Sequence, residues 1–139
     1  MGHVYAEIVL MNSFEVTAAK KGLIAKEDVK RLTVNALVDS GVATLTISEE
    51  IAEQLGLVVQ EQMKVTLADG SCRLCDIVGP IDIRFANRSA CCRAFLLPEA
   101  DEILLGVIPL EEMDVIIDPT SQKLVVHPDR PQGAQLRLK

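Results

Sequence analysis

The stretch Ala36-Leu37-Val38-Asp39-Ser40-Gly41 bears most directly on the fold, because three apolar residues are followed by an acid, a small hydroxyl and a glycine. A short apolar run favours a buried strand, and Asp-Ser-Gly is common in turns. A carboxylate at the end of a buried strand is costly unless it is hydrogen-bonded or paired. The tripeptide is therefore either an ordinary turn between strands or a place where a carboxylate is held for chemistry.

The segments around this stretch predict short strands and one clear helix. Residues 4–10 and 29–38 are mostly apolar and extended in pattern, whereas residues 12–28 are small and polar and predict an exposed, partly helical excursion. Ser48 is a good N-cap for a helix that begins with two glutamates, and Gly56 fits the C-terminal stop. Strands therefore dominate the first half of the chain.

In the second half of the chain, apolar and polar residues alternate with a period of two. Residues 62–67 and 72–78 flank the turn Ala68-Asp69-Gly70-Ser71, which is a strong hairpin signal. Pro109 falls in the first turn of a short helix, and a last hairpin turns at residues 118–121. The pattern predicts a mainly β fold with one or two short helices.

Composition sets limits on size and partners. The 139 residues predict one domain spanning residues 1–139, with an aliphatic core supplied by 43 Val, Ile and Leu. The formal net charge is −6 and no Lys/Arg run exceeds two residues, which argues against nucleic acid and against a polybasic membrane patch. There is no apolar run of about 20 residues and no secretory signal, so we predict a cytoplasmic protein.

The four cysteines fall in two close pairs, Cys72 with Cys75 and Cys91 with Cys92. Two such pairs are compatible with a zinc site. However, both lie in strand-like sequence, where an odd spacing points neighbours to opposite faces. We therefore interpret them as thiols and predict neither a metal nor a cofactor.

Four segments in this order resemble the retropepsin-like aspartic proteases, in particular their small bacterial and archaeal members. Residues 36–41 match the family's active-site pattern, and residues 44–57 look like the strand and helix after it. Residues 65–71 look like the flap hairpin, and residues 104–118 look like the apolar-apolar-Gly element with its following helix and strand. The resemblance covers residues 4–126. It implies the retropepsin-like acid protease fold, a closed barrel-like β domain with a flap.

The resemblance also implies an aspartic endopeptidase that is a homodimer. Its catalytic residues would be Asp39, Ser40 and Gly41, with a water activated by two carboxylates that share a proton. This chain has one Asp-Ser-Gly, so the second carboxylate must come from a second copy related by a two-fold axis. The tail, residues 128–139, is a candidate part of the dimer interface. A catalytically inactive retropepsin-like module that binds peptides and dimerises is the alternative.

The expected partner, besides a second copy, is a peptide or protein substrate bound in extended form beneath the flap. Apolar pockets would take alternate side chains of this peptide. The predicted substrate-binding residues come from the turn after Asp39, the flap tip and the apolar-apolar-Gly element: Val42, Leu67, Ala68, Asp69, Gly70, Ile103, Leu105 and Gly106.

Overall fold

Nine strands and three short helices make up the structure, a computed structural model that describes residues 2–138. The strands are β1 (Tyr5–Asn12), β2 (Arg31–Val38), β3 (Leu45–Ile47), β4 (Val58–Thr66), β5 (Cys72–Phe85), β6 (Arg88–Leu96), β7 (Ile103–Leu105), β8 (Val115–Asp118) and β9 (Lys123–Val126). The helices are α1 (Ser13–Lys20), α2 (Glu49–Gln54) and α3 (Val107–Met113).

Six of the strands close into a barrel. The order is β1-β2-β7-β3-β6-β5, and β5 pairs back with β1 to complete the ring. Strand β4 pairs with β5 alone, so these two strands extend beyond the ring as a hairpin. The prediction of a mainly β, barrel-like fold with a flap hairpin and short helices is therefore confirmed.

The core fills the barrel with aliphatic side chains. Along β1, Ala6, Ile8 and Leu10 alternate with more exposed residues and are almost fully buried, as the two-residue period of a strand requires. Ile81 and Ile83 do the same on β5. Each of the buried Ile and Leu side chains contributes about 1.5–3 kcal/mol of transfer free energy. The barrel is thus a rigid support for the loops at its ends.

The excursion of residues 12–28 contains α1 and a 3₁₀ turn at Lys26–Asp28, but it is not wholly exposed. The side chain of Asn12 caps α1 by accepting from the backbone N–H of Glu15 (3.1 Å), and its Nδ2 donates to the carbonyl of Leu55 (2.9 Å). Ser13 and Ala18 are buried against the barrel. Through these contacts, the mostly exposed and partly helical excursion covers part of the barrel wall.

The last hairpin, β8–β9, stands apart from the barrel sheet as a two-stranded sheet of its own. An ion pair holds the chain that follows this hairpin. The carboxylate of Asp114 accepts hydrogen bonds from Nε (2.5 Å) and Nη2 (3.0 Å) of Arg130. Residues 135–138 form no strand here, and Lys139 lies outside the described residues, so a tail strand at a dimer interface stays a prediction. Within residues 2–138, none of the helices has the length and apolar character needed to cross a bilayer.

Candidate active site

Asp39 lies directly after β2, where β2 runs parallel to β7 and both strands end. Its backbone N–H donates to the carbonyl of Leu105 (3.0 Å), which ties the start of the turn to the barrel. Its Oδ1 accepts from the backbone N–H of Gly41 (2.8 Å), and the carboxylate is half-buried. A Cβ at Gly41 would lie 3.1 Å from that same Oδ1, so glycine leaves the room that the carboxylate needs. The turn therefore holds Asp39 in one orientation.

A second loop interlocks with this turn at Gly106. The N–H groups of Val107 and Ile108 donate to the carbonyls of Val42 and Ala43, both at 2.9 Å. A Cβ at Gly106 would lie 2.4 Å from the carbonyl oxygens of both Val42 and Thr44. No side chain fits at that distance, so the close packing of the two loops requires glycine at this position.

We predict that Gly106→Ala destabilises the protein, because the added methyl group collides with backbone atoms that cannot turn away. The free energy of unfolding should fall by about 1–3 kcal/mol or more, the usual range for overpacking. Urea unfolding followed by circular dichroism measures this change. Gly133→Ala is the matched control, since a Cβ there meets only a side-chain nitrogen of Arg88, at 3.9 Å. Equal stability of the two variants would contradict the interlocking of the loops.

The β4–β5 hairpin lies over Asp39 and carries a tight turn at its tip. The N–H of Leu67 donates to the carbonyl of Ser71 (2.8 Å), and Gly70 adopts φ +86, which favours glycine. The carboxylate of Asp69 accepts from the hydroxyl (2.5 Å) and the N–H (2.9 Å) of Ser71. These hydrogen bonds lower the pKa of Asp69, so the tip of the hairpin is negatively charged at neutral pH.

A cavity of about 840 Å³ separates the hairpin from the Asp39 turn. This is within the roughly 300–1,000 Å³ of typical ligand pockets. Most of its lining is aliphatic or aromatic. The structure brings together here five of the residues predicted from the sequence: Asp39, Gly41, Val42, Leu67 and Ala68.

The other predicted site residues lie elsewhere. Asp69 and Gly70 occupy the hairpin tip, outside the cavity lining. Ile103 is on the β7 wall, and Leu105 has no exposed surface, so it supports the wall from inside the core. Gly106 acts through its packing against the Asp39 turn. Ser40 is exposed and makes no hydrogen bond within residues 2–138.

Several lining residues were not predicted from the sequence. Thr46 on β3 pairs with Phe95 on β6 and with Leu104 on β7, and all three side chains reach the cavity. Cys75 and Leu97 line it as well. The parallel pairing of β3 with β6 brings these residues together. It joins segments about 50 positions apart, so no local sequence pattern indicates it. Val65 is the exception. It lies two residues before Leu67 in an alternating segment, so its side chain is expected on the same face.

Among residues 2–138, Asp39 is the only carboxylate in the lining of the cavity. A single carboxylate can act as a base towards water, but a second acidic group is needed to protonate a carbonyl at the same moment. Asp39 also borders a second hollow, of about 420 Å³, formed with the N-terminal segment and the β8–β9 hairpin. Apolar side chains such as Val4, Val38 and Ile117 line that side.

The four cysteines are all free thiols, and Cys75 alone reaches the cavity. Burial raises the pKa of Cys92 to about 11, which keeps this thiol protonated and weakly nucleophilic at neutral pH. Within residues 2–138 no group of three or more His, Cys, Asp or Glu side chains is placed to hold a metal ion. Among residues 2–138, the cavity lining offers one carboxylate, Asp39, and one thiol, Cys75.

Comparison with known proteins gives a family match and similar folds. A family model described as aspartyl protease matches residues 17–107, and no curated protein matches the sequence. The fold is similar to the retroviral protease-like domain of Ddi1 from Leishmania major, with a TM-score of 0.56, 18% identity, and 92% of this chain and 90% of that one covered. A retropepsin-like aspartic protease from Rickettsia conorii is a more distant match, with a TM-score of 0.45, 14% identity, and coverage of 76% and 67%.

Proposed function

Since the chain belongs to the aspartyl protease family, we propose that it is an aspartic endopeptidase that works as a homodimer, with Asp39 of each copy facing one water molecule. The observation that carries this proposal is the position of Asp39. It is held by the backbone at the floor of an apolar cavity beneath a hairpin, with no second carboxylate from residues 2–138 in the lining. The site needs a second copy to be complete.

The proposed chemistry divides two tasks between the two carboxylates. Like charges a few ångströms apart do not both ionise easily, so the pair shares one proton. The ionised Asp39 takes a proton from the water, whose oxygen attacks the peptide carbonyl, while the protonated Asp39 gives its proton to the carbonyl oxygen. The tetrahedral intermediate collapses when the carboxyl group that took the water's proton gives it to the amide nitrogen, while the other carboxylate takes a proton from a hydroxyl of the intermediate. The carbon–nitrogen bond breaks, the amine leaves, and both carboxyl groups return to their starting protonation.

The hairpin supplies the binding surface above the substrate. Leu67 and Ala68 face the cavity from its tip, and an extended peptide can add its backbone hydrogen bonds there. The aliphatic lining favours apolar side chains next to the cleaved bond. Because Asp69 is ionised at the tip, acidic residues in the peptide are disfavoured.

The dimer interface must contain the Asp39 turn, because the two carboxylates have to meet across it. Ser40 is exposed there with a hydroxyl free to bond across a two-fold axis. Ile116 and Ile117 on β8 are also exposed, and Ile117 lines the hollow beside Asp39. An apolar face next to an incomplete site favours a second copy as its cover.

A statine-containing peptide tests the proposed chemistry, because its hydroxyl occupies the place of the attacking water. We expect it to bind at least about 10²-fold more tightly than the same peptide without that hydroxyl, as transition-state mimics do. Inhibition of cleavage of a fluorogenic peptide library measures both affinities. Equal affinity of the two peptides would contradict a carboxylate pair that binds the hydroxyl.

A further inference from the structure

A separate pocket, distinct from the cavity and the hollow beside Asp39, lies on the outer wall of the barrel beneath α1 and the 3₁₀ turn. Its volume is about 530 Å³. Its floor is apolar and is formed by Val9, Met11, Val16, Ala19 and Val29. Met11 and Val29 are themselves buried, so part of the floor is shielded from solvent. This pocket has the size and the floor of a small-molecule site.

Four cations surround this floor: Lys20, Lys26, Arg31 and Arg84. In the part of the chain that the structure describes, no acidic residue lines the pocket. Within residues 2–138, none of the four forms an ion pair, and the hydrogen bond of Arg31 goes to the backbone carbonyl of Lys26 (3.2 Å). The pocket therefore concentrates positive charge that the protein itself does not neutralise.

Two carboxylates on the elements that surround the pocket are engaged by other groups. Glu15 accepts from both the backbone N–H (2.8 Å) and the ammonium (2.7 Å) of Lys30. Asp82, which precedes Arg84 by two residues on β5, accepts from the hydroxyl of Ser13. These carboxylates do not occupy the pocket, and its four cations remain available to an outside anion.

The charge of this region is opposite to that of the whole protein. Residues 12–31 contain five of the 14 Lys and Arg residues but only three of the 20 Asp and Glu residues. Unpaired cations around an apolar pocket favour a ligand with an anionic head and an apolar body. The head can pair with the cations, and the body can cover the apolar floor.

We propose that this pocket binds a monomeric anionic amphiphile, a single carboxylate-type head group joined to an aliphatic chain. The head lies among the ammonium and guanidinium groups of Lys26, Arg31 and Arg84, and the chain lies on the floor between Val9 and Ala19. The binding is non-covalent and involves no chemical step. Arg31 begins β2 and Asp39 follows its end, so the strand rise of about 3.3 Å per residue places the two sites about 25 Å apart. The proposal is therefore independent of the proposed peptidase activity.

Calorimetric titration with decanoate below its micelle concentration tests the proposal. We expect saturable binding of one decanoate per chain. Decanol lacks the charge that pairs with the cations, and acetate lacks the chain that covers the apolar floor. Each should therefore bind at least about tenfold more weakly than decanoate.

Two substitutions at Ala19 separate charge from size. Ala19→Glu places a carboxylate among the four cations and should lower decanoate affinity by about tenfold or more. Ala19→Gln has nearly the same volume without the charge and serves as the matched control, with a much smaller loss. Thermal unfolding of both variants checks that each is folded before its affinity is compared.

Four results would overturn the proposal. The first is an absence of saturable decanoate binding, and the second is equal binding of decanol and decanoate. The third is equal loss of affinity in the Glu and Gln variants at position 19. Attachment to anionic lipid vesicles without binding of monomeric decanoate would likewise contradict a site for a single amphiphile.

Discussion

Asp39→Asn should lower the rate of peptide cleavage by about 10²–10⁴-fold, the range that a positioned acid–base group contributes. The asparagine side chain has almost the same shape, and its carbonyl oxygen can still accept from the N–H of Gly41. It cannot take a proton from water or deliver one to a carbonyl oxygen. The structure of the turn should therefore survive while the chemistry is lost. Initial rates with a fluorogenic peptide measure the change.

Asp28→Asn is the matched control for this substitution. Asp28 is exposed in the 3₁₀ turn, away from the cavity, and the same change of charge there should leave the rate within about twofold. Cleavage that persists in Asp39→Asn would show that the catalytic assignment is wrong. A wild-type protein that binds peptides but cleaves none between about pH 3 and pH 8, where carboxylates titrate, would instead support a non-catalytic module.

Ile117→Lys should convert the protein from dimer to monomer at assay concentrations and remove most of its activity. Ile117 is 43% exposed and lines the hollow beside Asp39, so the change places two ammonium groups in a face that the proposal buries. Desolvation and like-charge repulsion of this kind cost several kcal/mol, which raises the dimer dissociation constant about 10²-fold or more. Sedimentation velocity across a dilution series measures that constant.

Leu23→Lys provides the control for the interface variant. Leu23 is 73% exposed beyond α1, on the side of the barrel that carries the excursion, and a lysine there should change neither association nor activity. If Ile117→Lys dimerises like the wild type, the proposed face is wrong. If the wild type is monomeric at every concentration yet active, a two-chain site is wrong.

The parts of the fold that the sequence predicts are those with local signals. Ser48 caps α2 because its hydroxyl accepts from the N–H of Ile51 three residues later (3.3 Å), as its place before two glutamates indicates. Gly70 adopts the positive φ that its place in the flap turn predicts. In both cases the residue type and its immediate neighbours determine the backbone.

The parts that sequence analysis missed depend on contacts distant along the chain. Thr46, Phe95 and Leu104 meet at the cavity only because β3 pairs with both β6 and β7. Leu105 was predicted to contact substrate, but its neighbour in the strand, Leu104, faces the cavity, since a shift of one residue reverses the side of a strand. The cationic pocket was also missed, because Arg84 joins it from β5, far along the chain from α1.

Subunit mixing tests the central claim, that one active site takes Asp39 from two copies of the chain. Wild-type protein is held at a fixed concentration above its dimer dissociation constant and equilibrated with increasing amounts of Asp39→Asn. If both carboxylates are required, a threefold excess should reduce the rate to about one quarter, because mass action then pairs most wild-type chains with an inactive partner. The same excess of Ile117→Lys should leave the rate unchanged. A rate that stays constant as Asp39→Asn is added would contradict the claim, because each chain would then carry a complete site.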